Sequence, residues 1–339
     1  MIYPNFLKSG DTIGICAPSK GVNKEDKNFE KSLKRLKEEK YNIIETENTR
    51  TGIVPSSDAK TRAKELNELL KNPNVDFIYA AKGGDFLLEI LPYIDEEIIK
   101  DLISQNKTKF VAGFSDPTSL LFYLTTKFDI ATIYGTNADS FDQDILYDNL
   151  KNALSIIKGD IVKQVKFPKC ERIDYTFKKE ISAYYNGYIL NKDTEWKNLN
   201  GDTDIKGRII GGCIDCIKSM LGTKYDYIND FIERYKEDGI IWYFDNFALA
   251  SDDLYYVLWQ MRESGYFKYS KGFVFGRTLF EKELILTYED AITRALGKEV
   301  PIVLNADIGH VQPCFTIING SIGHFVSNKD NSYFEMELK

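Results

Sequence analysis

The residue most suited to chemistry is Ser115. The apolar run Phe110-Val111-Ala112-Gly113-Phe114 stops at it, and Asp116-Pro117-Thr118 then offers a helix cap, a residue fit for a first helical turn, and a second cap. Strand formers lead in, and Gly113 permits a tight turn. A serine at such a strand-to-helix turn exposes its hydroxyl at a sheet edge, where backbone N–H groups converge on the same point. That is the placement of a nucleophile. Capping serines also occupy such turns, so the choice between the two roles depends on partners.

A serine nucleophile needs a base, and the chain has two histidines. His310 follows the strand-like Pro301-Ile302-Val303-Leu304 and precedes Val311-Gln312-Pro313, a strand-end loop suited to facing a cleft. His324 sits inside a hairpin-like segment with an exposed polar face, which favours His310 as the base. The base in turn needs an orienting acid. Gly239-Ile240-Ile241-Trp242-Tyr243-Phe244 ends in Asp245, and a carboxylate there must be paired or sit at the strand's exposed end. Asp307 is the other acid in reach, while Asp116 reads as a helix cap and first-turn charge. If Ser115, Asp245 and His310 converge, the chain order is serine, acid, histidine, with acid and base delivered by a second domain across a cleft.

Lys82-Gly83-Gly84-Asp85 follows another apolar run, Phe77-Ile78-Tyr79-Ala80-Ala81. Two glycines let backbone approach a ligand and turn N–H groups toward it. The Gly84 and Asp116 N–H groups suit an oxyanion hole; the alternative is a plain βα turn. No phosphate-binding glycine motif occurs, so no nucleotide cofactor is expected. Cys213-Ile214-Asp215-Cys216 is a C-x-x-C, but it has no second cysteine pair or spaced histidine pair for zinc and no thioredoxin-like context. It is assigned to packing, and no metal is expected.

Positioning these groups requires a sheet. Strand patterns cover residues 12–17, 41–45, 76–81, 109–114 and 130–134, with helical patterns over 24–39, 58–71, 85–94 and 118–126 between them. This order predicts an α/β fold with an N-terminal doubly wound, mostly parallel sheet and helices on both faces. Ser115 and Gly83-Gly84 both fall at carboxyl ends of strands, where such sheets place their sites. Residues 145–205 lose the regularity. The expected organisation is a nucleophile-bearing domain over 1–160, a linker region over 161–205, and a mixed α/β domain over 206–339 carrying the acid and base. In the latter, a strand is expected near 183–190, a turn at Gly211-Gly212, helices over 214–221, 252–265 and 288–296, and strands over 239–245, 272–275, 301–305 and 314–327.

Composition sets the outer bounds. A chain of 339 residues suits two domains, and 43% apolar with 28% charged residues is a globular composition. A net charge of −7 argues against nucleic acid as the main partner. No run is long enough to span a bilayer, and the N-terminus has no signal-peptide core. An odd set of five scattered cysteines does not resemble a secreted disulfide framework. The expectation is a cytoplasmic protein without a membrane partner.

Taken together, these segments resemble the LD-carboxypeptidase family of serine peptidases (peptidase family S66), which includes the microcin C immunity peptidases. The resemblance runs through Gly10-Asp11-Thr12-Ile13-Gly14, Gly83-Gly84, Gly113-Phe114-Ser115-Asp116, Gly207-Arg208-Ile209-Ile210-Gly211-Gly212-Cys213, Trp242-Tyr243-Phe244-Asp245, Phe275-Gly276-Arg277 and Asp307-Ile308-Gly309-His310. It implies a cytoplasmic, metal-independent serine carboxypeptidase, dimeric, with the triad on Ser115, Asp245 and His310. Its substrate would be a murein tetrapeptide or related small peptide. Chain length and the Gly211-Gly212-Cys213 segment look more like the microcin-immunity branch, which implies peptidyl or aminoacyl nucleotide amides as the alternative substrate.

One departure stands out. The family acid is usually glutamate and here the aligned residue is Asp245, one methylene shorter. Either the strand or His310 sits closer, or the chain is a binding or sensor protein on the same fold; with an intact triad, Asp245→Glu would be tolerated.

Overall fold

The computed structural model describes residues 1–172 and 187–339. They fall into two compact units, one built on Met1–Ile161 with Thr316–Ile318, the other on Val162–Arg172, Tyr188–Phe315 and Asn319–Lys339.

The first unit alternates β1 (Thr12–Cys16), α1 (Lys27–Glu38), β2 (Asn42–Glu45), α2 (Ala59–Lys71), β3 (Phe77–Ala80), α3 (Glu96–Ser104), β4 (Phe110–Gly113), α4 (Thr118–Phe128), β5 (Thr132–Tyr134) and α5 (Asp148–Ile157). Local chemistry sets the helix starts. Asp26 accepts the N–H groups of Asn28 and Phe29 ahead of α1, and Asp58 those of Lys60 and Thr61 ahead of α2, each cap worth about 1 kcal/mol. Behind the caps, α1 buries Phe29, Leu33 and Leu36, and α2 buries Ala63, Leu66, Leu69 and Leu70. β3 and β4 are buried along their whole length, which is why their sequences run apolar without alternation. β1 pairs in parallel with β2 and β3, β3 with β4, and β4 with β5. The doubly wound reading therefore holds, with spatial order 2-1-3-4-5 and a switch point between β1 and β3.

The second unit contains β6 (Gln164–Val165), β7 (Lys169–Glu171), β8 (Leu190–Asp193), β9 (Lys197–Asn198), β10 (Thr203–Cys213), α6 (Ile214–Ile217), α7 (Ile228–Arg234), β11 (Ile240–Asp245), α8 (Ser251–Glu263), β12 (Ser270–Gly276), α9 (Tyr288–Leu296), β13 (Ile302–Ala306), β15 (Ile322–Ser327) and β16 (Ser332–Glu337); β14 (Ile317–Asn319) lies instead beside β5 in the first sheet. The second sheet runs β6-β16-β15-β10-β11-β12-β13-β9. Its centre, β10 to β13, is parallel, so Cys213, Asp245, Gly276 and Ala306 end those strands at one edge.

Several expectations fail for identifiable reasons. Gly211-Gly212 is not a turn but part of β10: a Cβ on Gly211 would lie 1.8 Å from the Tyr243 carbonyl oxygen, so the glycine serves close strand approach. The helix expected over 85–94 is a 3-10 turn, Leu87–Tyr93, containing Pro92, and α3 begins separately behind the cap Asp95. α5 occupies a stretch read as irregular, burying Leu150, Ala153, Leu154, Ile156 and Ile157. Of the strand expected near 183–190, residues 183–186 lie outside the described ones.

Candidate active site

Ser115 is held in a left-handed backbone conformation, φ 72°. A non-glycine residue there costs on the order of 1 kcal/mol or more, and the surroundings enforce it. On the strand side, Phe114 N–H donates to Asn137 Oδ1 at 2.8 Å, and Asn137 Nδ2 donates back to the Phe114 carbonyl at 3.3 Å. On the helix side, the Ser115 carbonyl accepts both the N–H (2.9 Å) and the hydroxyl (2.6 Å) of Thr118. This strained turn between β4 and α4 has the form of an elbow that could present a nucleophile.

The Gly83-Gly84 turn lies against that elbow. A Cβ on Gly83 would sit 2.9 Å from Ser115 Cβ and 3.3 Å from its Oγ, so only glycine lets the β3 loop close on the serine. Gly84 follows at φ 151°. Beside the turn, Lys82 Nζ pairs with Asp139 Oδ2 at 2.7 Å. Asp116 does not use its carboxylate as the α4 cap that its position predicts: Oδ2 accepts the N–H of Leu87 at 2.9 Å, tying the serine loop to the 3-10 turn after β3. Burial raises the Asp116 pKa above its ordinary value. Arg62 gave no sequence signal. Its buried guanidinium donates to the carbonyls of Pro18 (2.7 Å) and Phe86 (3.0 Å) and to Glu89 (2.6 Å), bracing the loops after β1 and β3.

In the second unit, β11 delivers Asp245 fully buried at its last position, and the loop after β13 delivers His310. His310 Nδ1 lies 2.8 Å from Asp245 Oδ2, and the His310 backbone N–H donates to Asp245 Oδ1 at 3.3 Å. Gly309, φ 93°, makes this possible: a Cβ there would fall 2.1 Å from Oδ1. The short Asp245 side chain is thus met by the backbone of His310, which comes up to it. The Phe247 ring packs 4.6 Å from the imidazole, centroid to centroid.

The other candidates are engaged elsewhere. Asp307 Oδ1 takes Arg277 Nη1 at 2.5 Å and Oδ2 accepts Trp196 Nε1 (3.1 Å) and Phe167 N–H (3.0 Å). Burial raises its pKa while Arg277 opposes the shift. It is a structural ion pair. His324 stands on β15 with Nε2 2.8 Å from Asp204, a strand-face contact.

Cys213 acquires a neighbourhood that its assignment to packing did not include. The register of β10 on β11 sets it directly opposite Asp245. Among the described residues, Cys213, Asp245 and His310 form a group whose possible metal-ligating atoms lie within 4.8 Å of one another. A hydrogen bond to Cys216, burial, and the charges of Asp245 and Asp215 hold its thiol well above the usual cysteine pKa. The sequence alone hides this neighbourhood, because Gly211-Gly212 reads as a turn; the strand ending at Cys213 and its pairing register bring the residue beside Asp245.

The LD-carboxypeptidase N-terminal domain matches residues 13–135 and the LD-carboxypeptidase C-terminal domain matches residues 206–324. The chain belongs to the LD-carboxypeptidase family. Within it, the chain is 28% identical over 235 residues to a Vibrio cholerae protein named as a carboxypeptidase, and 28% identical over 230 residues to the Microcin C7 self-immunity protein MccF of Escherichia coli. These matches take in 66% and 65% of the chain and span 66% and 63% of those relatives, a little under two thirds of each.

Solved structures of family members share the fold. MccF in complex with glutamyl sulfamoyl guanosine superposes with a TM-score of 0.80 at 20% identity, over 100% of both chains. An MccF-like protein from Bacillus anthracis gives 0.80 at 23%, again over 100% of both. One from Streptococcus pneumoniae, in complex with AMP, gives 0.75 at 23% over 97% of this chain and 99% of its own. Among the described residues, no helix is long and apolar enough to cross a membrane.

Proposed function

We propose that the protein is a serine-type carboxypeptidase hydrolysing an amide bond near the C-terminus of a small peptide, with Ser115 as nucleophile, His310 as base and Asp245 as the acid that orients it. The observation that carries this reading is the double contact between Asp245 and His310. It sets the Nδ1 face of the imidazole on the carboxylate, so that proton exchange with a hydroxyl is assigned to Nε2.

Ser115 Oγ attacks the carbonyl carbon as His310 Nε2 takes its proton, and the C–O bond forms while the carbonyl π pair moves to oxygen. The Gly84 and Asp116 N–H groups receive that oxyanion. Collapse expels the amine, protonated by His310, and water then releases the acyl group by the same steps in reverse order. The strain at Ser115 supports this role, since strained backbone clusters where it positions a reacting group.

The same reading places the protein in the cytoplasm as a homodimer working without a cofactor, as the family resemblance implies. Its cysteines carry thiols, which suits a reducing compartment. A second substrate reading is favoured by the full-length likeness to structures holding glutamyl sulfamoyl guanosine and AMP: a peptidyl or aminoacyl nucleotide amide. The contact between Asp245 and His310 favours the hydrolase reading over that of a binding or sensor protein on the same fold.

The test is hydrolysis measured side by side on a murein tetrapeptide and an aminoacyl sulfamoyl adenylate. Turnover of the tetrapeptide supports the first reading and turnover of the adenylate the second. Turnover of neither, by folded protein, would overturn the assignment as a peptidase.

A further inference from the structure

Cys213, Asp245 and His310 bring a thiol, a carboxylate and an imidazole to the carboxyl edge of the parallel strands β10 to β13. Their donor atoms lie within 4.8 Å of one another. This is a soft, mixed S/N/O donor set of the kind that selects zinc over magnesium or calcium. The three are held by rigid elements: Cys213 and Asp245 end paired strands, and His310 is pinned through its backbone N–H. Around them, the Asp215 carboxylate lies 3.7 Å from Cys213 Sγ and accepts the N–H groups of Phe247 (2.9 Å) and Ala248 (3.1 Å). The His310 side chain retains 10% exposure, an entry for an ion. Packing alone requires none of this chemistry; a small apolar residue would fill the Cys213 position.

We propose that Cys213 Sγ, Asp245 and His310 Nδ1 form a zinc site that switches the active site off. The inhibitory half rests on the reading of His310 as the base; the binding half does not. Zinc replaces the thiol proton, which leaves to solvent; the proton that His310 holds on Nδ1 moves through solvent to Nε2, which frees the Nδ1 lone pair for the metal, with no change of oxidation state. An imidazole ligated through Nδ1 carries its remaining proton on Nε2. The nitrogen that should accept the serine proton is then already protonated, and Asp245 is turned to the metal instead of the ring.

The test uses the full chain with Co2+ as the spectroscopic probe and Zn2+ as the inhibitor. One equivalent of Co2+ should give a thiolate-to-cobalt charge-transfer band. Cys213→Ser and Cys213→Ala should each abolish the band and weaken zinc binding about a hundredfold or more, whereas His324→Gln should leave both intact. Zinc should inhibit wild-type hydrolysis stoichiometrically and reversibly by chelation, and should not inhibit the Cys213 variants, each referred to its own zinc-free rate. No band, a band surviving both Cys213 changes, or one lost only with His324→Gln overturns the site. A Cys213-dependent band without zinc inhibition of an active enzyme overturns the switch. A Cys213-dependent band in a protein that hydrolyses neither substrate leaves the site standing and removes the peptidase reading instead.

Discussion

Asp245 holds His310 at two points, Oδ2 at 2.8 Å from the ring Nδ1 and Oδ1 accepting the backbone N–H at 3.3 Å. A carboxylate engaged by both the ring and the backbone of one residue fixes that residue's orientation more tightly than either contact alone. The first prediction concerns this pair. Asp245→Asn should reduce kcat by roughly 10³- to 10⁴-fold by presenting the wrong hydrogen-bond partner to Nδ1. Asp307→Asn should act on stability, because its carboxylate serves Arg277. Measured rates and unfolding midpoints of both variants check this; a fully active Asp245→Asn would move the acid elsewhere.

An intact triad by itself predicts that Asp245→Glu is tolerated, whereas the packing around Asp245 argues the opposite. The side chain is fully buried and the space beside Oδ1 is closed by Gly309. An added methylene must displace His310, an overpacking that costs about 1–3 kcal/mol. The Glu variant should therefore unfold earlier than wild type and lose activity.

Gly309→Ala probes the same closure from the other side. Its Cβ would lie 2.1 Å from Asp245 Oδ1, on a residue at φ 93°, so both steric overlap and backbone strain oppose it. The expected result is a loss of about 2 kcal/mol or more in stability and a collapse of activity comparable to Asp245→Asn. An active, stable Gly309→Ala would mean that the loop after β13 does not bear on the acid.

Strain at Ser115 predicts a stability difference between two variants that both lack the hydroxyl. At φ 72° alanine keeps the left-handed penalty and glycine does not, so Ser115→Gly should be more stable than Ser115→Ala by about 1 kcal/mol. Denaturant unfolding of the two reads this directly. Equal stabilities would remove the strain argument.

Lys109 gives a pH signature unconnected with activity. Nearly buried, its Nζ donates to the carbonyls of Leu69 (2.9 Å) and Asn72 (2.5 Å), and burial lowers its pKa to about 8. Below pH 8 the lysine is charged in both states and its contribution is constant. Between pH 8 and the unfolded value near 10.4 the unfolded chain binds the extra proton, so stability gains with rising pH. Relative to Lys109→Met, wild type should therefore gain stability across that window; a flat difference would contradict the shift.

Much of this was legible beforehand where local chemistry decides. The first sheet's strands stand out as apolar runs, and Ser115 and Asp245 as candidates because such a run stops at each of them; α3 behind its cap Asp95 does not stand out, the helix expected there running over 85–94 instead. What escaped depends on pairing between distant segments. Gly211-Gly212 reads as a turn until a neighbouring carbonyl is seen at 1.8 Å from where a Cβ would be, and β14 gives no sign that it joins the first sheet. Sequence places Asp245 ahead of Asp307 as the candidate acid but does not show their partners: Asp307 pairs with Arg277, while Asp245 contacts His310.

The measurement bearing most directly on the account is the rate of amide hydrolysis by wild type and Ser115→Ala, on whichever of the two substrates is cleaved, with unfolding of both followed in parallel. The account predicts a fall of about 10⁴-fold or more with the fold retained. A folded Ser115→Ala that hydrolyses within tenfold of wild type would contradict it.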